Sequence, residues 1–157
     1  MSEKILFLDI DGVLNRIGGD NRTTRLIRGL FGLEEGLVRN LERVLDQDPE
    51  IKVVISSAWR RGDMPRFYED LKLFNFKHTE RVQEMTPHLP CATRHLEIKK
   101  YLEDVDHENY IVIDDYDFSE EIPDGKFLWT PSDLGLDGGR FRRLQMLLGL
   151  PIDPPVF

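Results

Sequence analysis

The sequence predicts an α/β fold: a single domain with a Rossmann-like parallel sheet, helices on both faces and no sizeable cap. Three observations carry that expectation. Apolar runs of strand length alternate with amphipathic helical stripes, as right-handed strand–helix–strand units require. The strands read as continuous apolar runs, the pattern of parallel strands covered on both faces. Three of them also end in polar, site-like residues, and in an open α/β sheet the crevice beyond the carboxyl ends of the strands is where ligands bind.

Taken in order, Ile5 to Leu8 is the first strand, and Asp9 and Asp11 close it. Residues 15 to 32 read as a long irregular excursion. Leu33 to Leu45 carries Leu37, Leu41, Val44 and Leu45 at helical spacing, and Asp48-Pro49 ends that helix. Ile51 to Ile55 is a second strand, halted by Ser56-Ser57. Pro65 to Phe74 and Arg94 to Val105 read as helices. Tyr110 to Ile113 is a third strand ending in Asp114-Asp115, Phe127 to Trp129 a fourth, and Arg140 to Leu148 a last helix. The domain is expected over residues 1–150, with 151–157 a proline-rich tail that cannot extend the helix.

Composition bounds the class. With 157 residues, 40% apolar and 32% charged, the chain suits one soluble domain. No apolar run approaches the roughly 20 residues that cross a bilayer, so no membrane partner is expected. The first apolar stretch carries Asp9 and lacks the features of a signal peptide. One cysteine, Cys91, excludes an internal disulfide and fits a reducing, cytoplasmic compartment. The net charge of −8 counts against non-specific nucleic-acid binding. It is unevenly spread: ten acids and no Lys or Arg lie between Glu103 and Asp124, whereas Arg16, Arg22, Arg25 and Arg28 face one acid, Asp20. Oligomeric state is not legible.

At the shared strand edge, Asp9, Asp11, Asp114 and Asp115 form a cluster that cannot keep all its charges unneutralised. A hard divalent cation with oxygen ligands is the simplest remedy, and magnesium needs only one or two carboxylates beside water and substrate phosphate. A serine hydroxyl after the second strand can donate to a phosphate oxygen, and Gly12 permits a sharp turn after the acids. These are parts for phosphoryl chemistry.

The wording of these motifs resembles a known family. Asp9-Ile10-Asp11-Gly12-Val13 is similar to the first motif of haloacid dehalogenase-type phosphatases, Val54-Ile55-Ser56 to their second, and Ile111-Val112-Ile113-Asp114-Asp115 to their fourth. Ile-Ser-Ser-Ala-Trp-Arg and the ending from Trp129-Thr130 through Gly135-Leu136 resemble a small capless branch associated with RNA repair proteins. The resemblance implies Asp9 as nucleophile, forming an aspartyl-phosphate, and Asp11 as general acid and base. It implies a magnesium ion on Asp9, the Asp11 carbonyl and Asp115, with Asp114 bound through water or behind them. Ser56 would hold a phosphoryl oxygen, with Ser57 its substitute and Gly12 beside them.

The family's third motif is a lysine, and here the chain departs from it. Lys99 and Lys100 lie five or six residues along a helix that begins at the active edge, roughly 8 Å away or more. Arg94 stands at the helix start, about where the branch that the chain resembles places its basic residue, and is assigned the phosphate-neutralising role on that resemblance. Trp59, Arg60 and Arg16 are substrate candidates: Trp59-Arg60-Arg61 reads either as a stacking and phosphate-contacting lip or as a Trp packed under a loop beside exposed arginines. Cys91 and the four histidines show no catalytic or metal-ligand spacing, though His88 and His95, near Arg94 in sequence, are within reach of the site.

About 45 and 55 residues separate the first three strands, too few for a folded cap beside the helices. An open site suits a phosphate on a large molecule, and the branch resemblance favours a nucleotide or polynucleotide end. The alternatives are a catalytically weak or inactive binding module, and a phosphatase for small metabolites or phosphoproteins. A receiver-type signalling domain is disfavoured, since it places its acid pair after the first strand.

Overall fold

The computed structural model describes residues 3–17 and 32–152. Five parallel strands, β1 (Glu3–Leu8), β2 (Ile51–Ile55), β3 (Glu84–Met85), β4 (His107–Asp114) and β5 (Phe127–Trp129), form one sheet in the order β3-β2-β1-β4-β5. Four α-helices accompany it: α1 (Glu35–Gln47), α2 (Met64–Leu73), α3 (Arg94–Asp104) and α4 (Gly138–Leu148). This is the expected α/β architecture, without a large cap among the described residues. Most of the arginine-rich excursion (residues 18–31) and the end of the proline-rich tail (153–157) lie outside them.

From Ile5 to Leu8, β1 is apolar because each face of the sheet is covered there. Leu6 and Leu8 join the larger core with Val38, Leu41 and Val44 of α1, Phe67 and Leu71 of α2, and Phe141 and Leu144 of α4. Ile5 and Phe7 point to the other face, where Ile98 and Tyr101 of α3 meet Val112, Phe118 and Ile122. Each such side chain, fully buried, contributes about 1.5–3 kcal/mol. The helix faces follow the strand order: α1 and α2 serve the steps outward from β1, and α3 crosses the other face to reach β4. The direction of travel therefore reverses between β1 and β4, and a crevice opens there.

Register sets the site. Leu8 pairs with Ile55 on one side and Ile113 on the other. The ladder then continues one step further, with Asp9 N donating to Ile113 O and Ser56 N to Leu8 O, both at 3.0 Å. Asp9 is thus flanked by Ser56 and Asp114. β3 escaped the sequence reading: it is two residues long, both exposed, and carries no apolar run.

Local signals end α4. Asp137 caps its start by accepting from Arg140 N at 3.0 Å. Gly149, at φ +69°, stops it, and Leu150 N then donates to Gln145 O at 2.9 Å.

Candidate active site

The first acidic motif leaves β1 through a tight turn. Val13 N and Leu14 N both donate to Ile10 O, and Gly12 sits at φ +78°. A side chain there would be strained and would also collide: its Cβ would lie 2.3 Å from Asp115 Oδ2 and 2.7 Å from Asp115 Cβ. Gly12 is what allows the Asp9–Asp11 turn and Asp115 to approach each other. Two contacts hold the turn in place. Thr130 Oγ1, buried, donates to Gly12 O at 2.8 Å, and Leu136 N donates to Val13 O.

Carboxylate oxygens of Asp9, Asp114 and Asp115 all lie within 4.8 Å of one another. Asp9 is 4% exposed and Asp114 is fully buried. Asp114 is already committed: Oδ2 receives Arg94 Nη1 at 2.5 Å and Oδ1 receives Tyr116 N at 2.9 Å. Asp115 accepts Ser132 Oγ on Oδ2 at 2.9 Å, and its carbonyl accepts Trp129 Nε1 at 2.8 Å. Arg94, the first residue of α3, also stands 3.4 Å from Asp9 Oδ2. α3 runs down into β4, so its first turn lies at the strands' carboxyl edge, where the helix argument put Arg94.

Burial, then the neighbouring Asp114 charge, hold the Asp9 carboxyl well above the ordinary carboxylate range, with Arg94 pulling the other way. Burial also raises Asp114, which Arg94 and the Tyr116 N–H offset only in part. Burial disfavours the Arg94 charge, yet Asp9 and Asp114 reverse this and hold its pKa above normal. With all three carboxylates ionised, one guanidinium leaves two negative charges, the complement of a divalent cation, whose binding would offset the burial that raises Asp9 and Asp114. Hard oxygen donors at this spacing fit magnesium.

The other sequence candidates are placed as follows. Ser56 is fully buried, and its Oγ has no hydrogen-bond partner among the described residues. Ser57 lines the cleft, with Oγ accepting from Trp59 N at 3.2 Å and its own proton left to donate. Trp59 is 3% exposed, so it is not a stacking lip; it is packed as the second reading had it, but the Arg60 side chain beside it, 7% exposed, is not the exposed arginine that reading expected. Arg60 reaches the cleft wall, but its guanidinium is engaged by Thr86, Pro87 O and Ser57 O, and by Glu97 at 2.9 Å. It ties loops together rather than offering a free fork to a phosphate. Arg16 pairs with Glu34 at 2.7 Å and is not on the cleft wall.

Sequence reasoning missed Asn15, which accepts from Gly12 N on Oδ1 and donates from Nδ2 to Asp11 Oδ1. The signal was its place in Leu-Asp-Ile-Asp-Gly-Val-Leu-Asn, the first-motif wording shared with the branch, four residues after Asp11. It also missed Tyr116, 73% exposed on the cleft wall. The cleft has a volume of about 830 Å³. Beyond the acids its wall carries Arg61 and His95 together with Asp117, Glu120 and Glu121, and His95 Nε2 stands 3.8 Å from Glu121.

The parallel sheet, the acid-bearing turn at its switch point and the paired acids after β4 define a haloacid dehalogenase-type domain of the phosphatase-like hydrolases. The family model described as the HAD domain in Swiss Army Knife RNA repair proteins matches residues 5–139, and the chain belongs to that family. No curated protein and no solved structure matches it significantly.

Proposed function

We propose that the chain is a magnesium-dependent phosphomonoester hydrolase that acts through an aspartyl-phosphate on Asp9, on a nucleotide or polynucleotide end. The observation that carries this is the buried Asp9 carboxylate, set between Arg94 and the Asp114–Asp115 pair at the switch point of the sheet.

Asp9 and Asp115 would hold the magnesium ion with the Asp11 carbonyl, while Asp114, already bonded to Arg94 and Tyr116 N, stands behind them. When bound, the ion brings two anions together and offsets charge on the phosphoryl oxygens. Asp9 attacks phosphorus as the bond to the leaving oxygen breaks, and Asp11 delivers a proton to that oxygen. Asp11 then takes a proton from the water that cleaves the acyl phosphate. Arg94 keeps a permanent positive charge beside Asp9, the part a lysine plays in the wider family. Ser57, on the cleft wall, donates to a phosphoryl oxygen; Ser56, flanking Asp9, has an unspent hydroxyl for the same task.

Three features support a nucleotide end as substrate. The family is described from RNA repair proteins. The cleft is not roofed by a large cap among the described residues, and Tyr116 offers an exposed ring for a base. No helix among the described residues is long and apolar enough to cross a membrane; with its one cysteine the chain suits a cytoplasmic setting.

The test is phosphate release from 3′- and 5′-phosphorylated oligonucleotides, nucleotides and sugar phosphates, with magnesium or with chelator. Wild type should turn over nucleotide ends only with the metal, and Asp9→Asn should be inactive while folded. Turnover by Asp9→Asn near the wild-type rate contradicts the assignment.

A further inference from the structure

Trp59 is buried, yet its one polar atom is not spent within the core. The indole Nε1–H donates to Asp11 Oδ1 at 3.0 Å, across 48 residues of sequence. The same oxygen receives Asn15 Nδ2, also at 3.0 Å. Both lone pairs of Oδ1 are therefore occupied by N–H donors, and Oδ2 has no partner among the described residues.

Each donor is itself fixed. Asn15 is 4% exposed and oriented by the Gly12 N–H on its Oδ1, which settles which end of the amide faces Asp11. The Trp59 ring stands edge-on to Phe67 at 6.4 Å, with the Arg66 guanidinium 5.9 Å from its centroid. The short 3₁₀ turn that carries it, Ala58–Arg61, is capped by Ser57. These rigid donors determine which oxygen of Asp11 can carry a proton. Protonating Oδ1 would displace a donor, whereas Oδ2 can take or give a proton with both bonds intact.

We propose that Trp59 and Asn15 are positioning residues for acid–base catalysis: they lock Asp11 by Oδ1 so that its mobile proton resides on Oδ2. The inference rests on the phosphatase reading above. In the first step the Asp9–phosphorus bond forms, the phosphorus–oxygen bond to the leaving group breaks, and the proton on Asp11 Oδ2 passes to that oxygen. In the second, water attacks phosphorus, its proton returns to Oδ2, and phosphate leaves Asp9.

Leaving-group dependence separates this role from plain packing. Dinitrophenolate departs without protonation, whereas an alkoxide needs it. With magnesium, kcat/KM should be measured for dinitrophenyl, nitrophenyl, phenyl and alkyl phosphates, because it reports the phosphoryl-transfer step. Trp59→Phe keeps the ring and removes the N–H. It should lower kcat/KM about tenfold for an alkyl phosphate and under twofold for the dinitrophenyl ester, a fraction of the whole acid contribution. Asn15→Ala should tilt the series in the same direction, and Asp11→Asn more steeply.

An equal loss across the series for folded Trp59→Phe or Asn15→Ala overturns the inference and leaves the phosphatase reading standing. Absence of turnover by wild type overturns both. Should neither variant fold, the Trp59 indole N–H resonance of wild type must shift in Asp11→Asn, and an unmoved resonance also overturns it.

Discussion

Arg94→Met removes the cation from beside Asp9 and Asp114 while keeping a long side chain. Asp114 is fully buried and Asp9 nearly so, and each loses its neighbouring guanidinium, at 2.5 and 3.4 Å. Taking one partner from a buried ion pair costs about 3–5 kcal/mol. The Arg94 side chain is 27% exposed, so water already weakens the pair, and a cost below that range, about 2–3 kcal/mol, is expected. For a domain of this size that corresponds to a fall in Tm of roughly 4–12 °C. Urea denaturation at pH 7 with chelator measures it. Arg94→Lys should lose less than half as much, and adding Asp114→Asn to Arg94→Met should recover part of the loss, since the two sites are in contact. A change below about 0.5 kcal/mol for Arg94→Met would mean that the guanidinium does not neutralise the acids, and the charge balance inferred for the metal site would fall.

Gly12→Ala should destabilise the fold by about 2–4 kcal/mol, combining the left-handed backbone with displacement of Asp115, and should weaken magnesium binding measured calorimetrically. Wild-type affinity in that variant would contradict the close approach. Burial alone would raise the pKa of Asp48, but hydrogen bonds from Lys4, at 2.6 Å, and the Glu50 N–H, with the Lys4 and Arg81 charges, hold it below normal. Its contribution is therefore complete above the ordinary carboxylate pKa near 4 and is lost as pH falls through the lower folded value. Asp48→Asn should accordingly cost about 1 kcal/mol at pH 7 and progressively less toward pH 2, as followed by urea midpoints. Tyr116→Ala should raise KM about tenfold for a phosphorylated oligonucleotide and leave that for an alkyl phosphate nearly unaltered, if a base stacks there.

Much of this architecture was legible because β1 and the core segment of β4 are covered on both faces, so that their apolar runs announce buried parallel strands. β2 and β5 were found with the observed bounds, whereas β4 begins three residues earlier than read. His107, Glu108 and Asn109 are polar, yet His107 and Asn109 pair with Glu3 and Lys4 at the far end of the sheet, where burial no longer selects apolar residues. The position of Arg94 followed from helix direction together with the place of the basic residue in the branch the sequence resembles. What the sequence could not show were contacts that depend on tertiary approach. A Trp beside two arginines gives no sign that its indole turns inward to Asp11, or that Arg60 is spent on Thr86 and Glu97. The choice between Ser56 and Ser57 likewise rests on which hydroxyl meets the cleft, and adjacency in sequence carries no such information.

The most direct test of the central claim is chemical trapping on Asp9. Wild type turning over a phosphorylated oligonucleotide with magnesium is quenched, reduced with borohydride and digested, and the peptide spanning Lys4 to Arg16 is sequenced by mass spectrometry. A covalent acyl phosphate on Asp9 is reduced to homoserine at that position, and only when substrate and metal are both present. Substrate turnover with Asp9 recovered unmodified, or with homoserine at Asp11 or Asp115 in its place, would contradict the account.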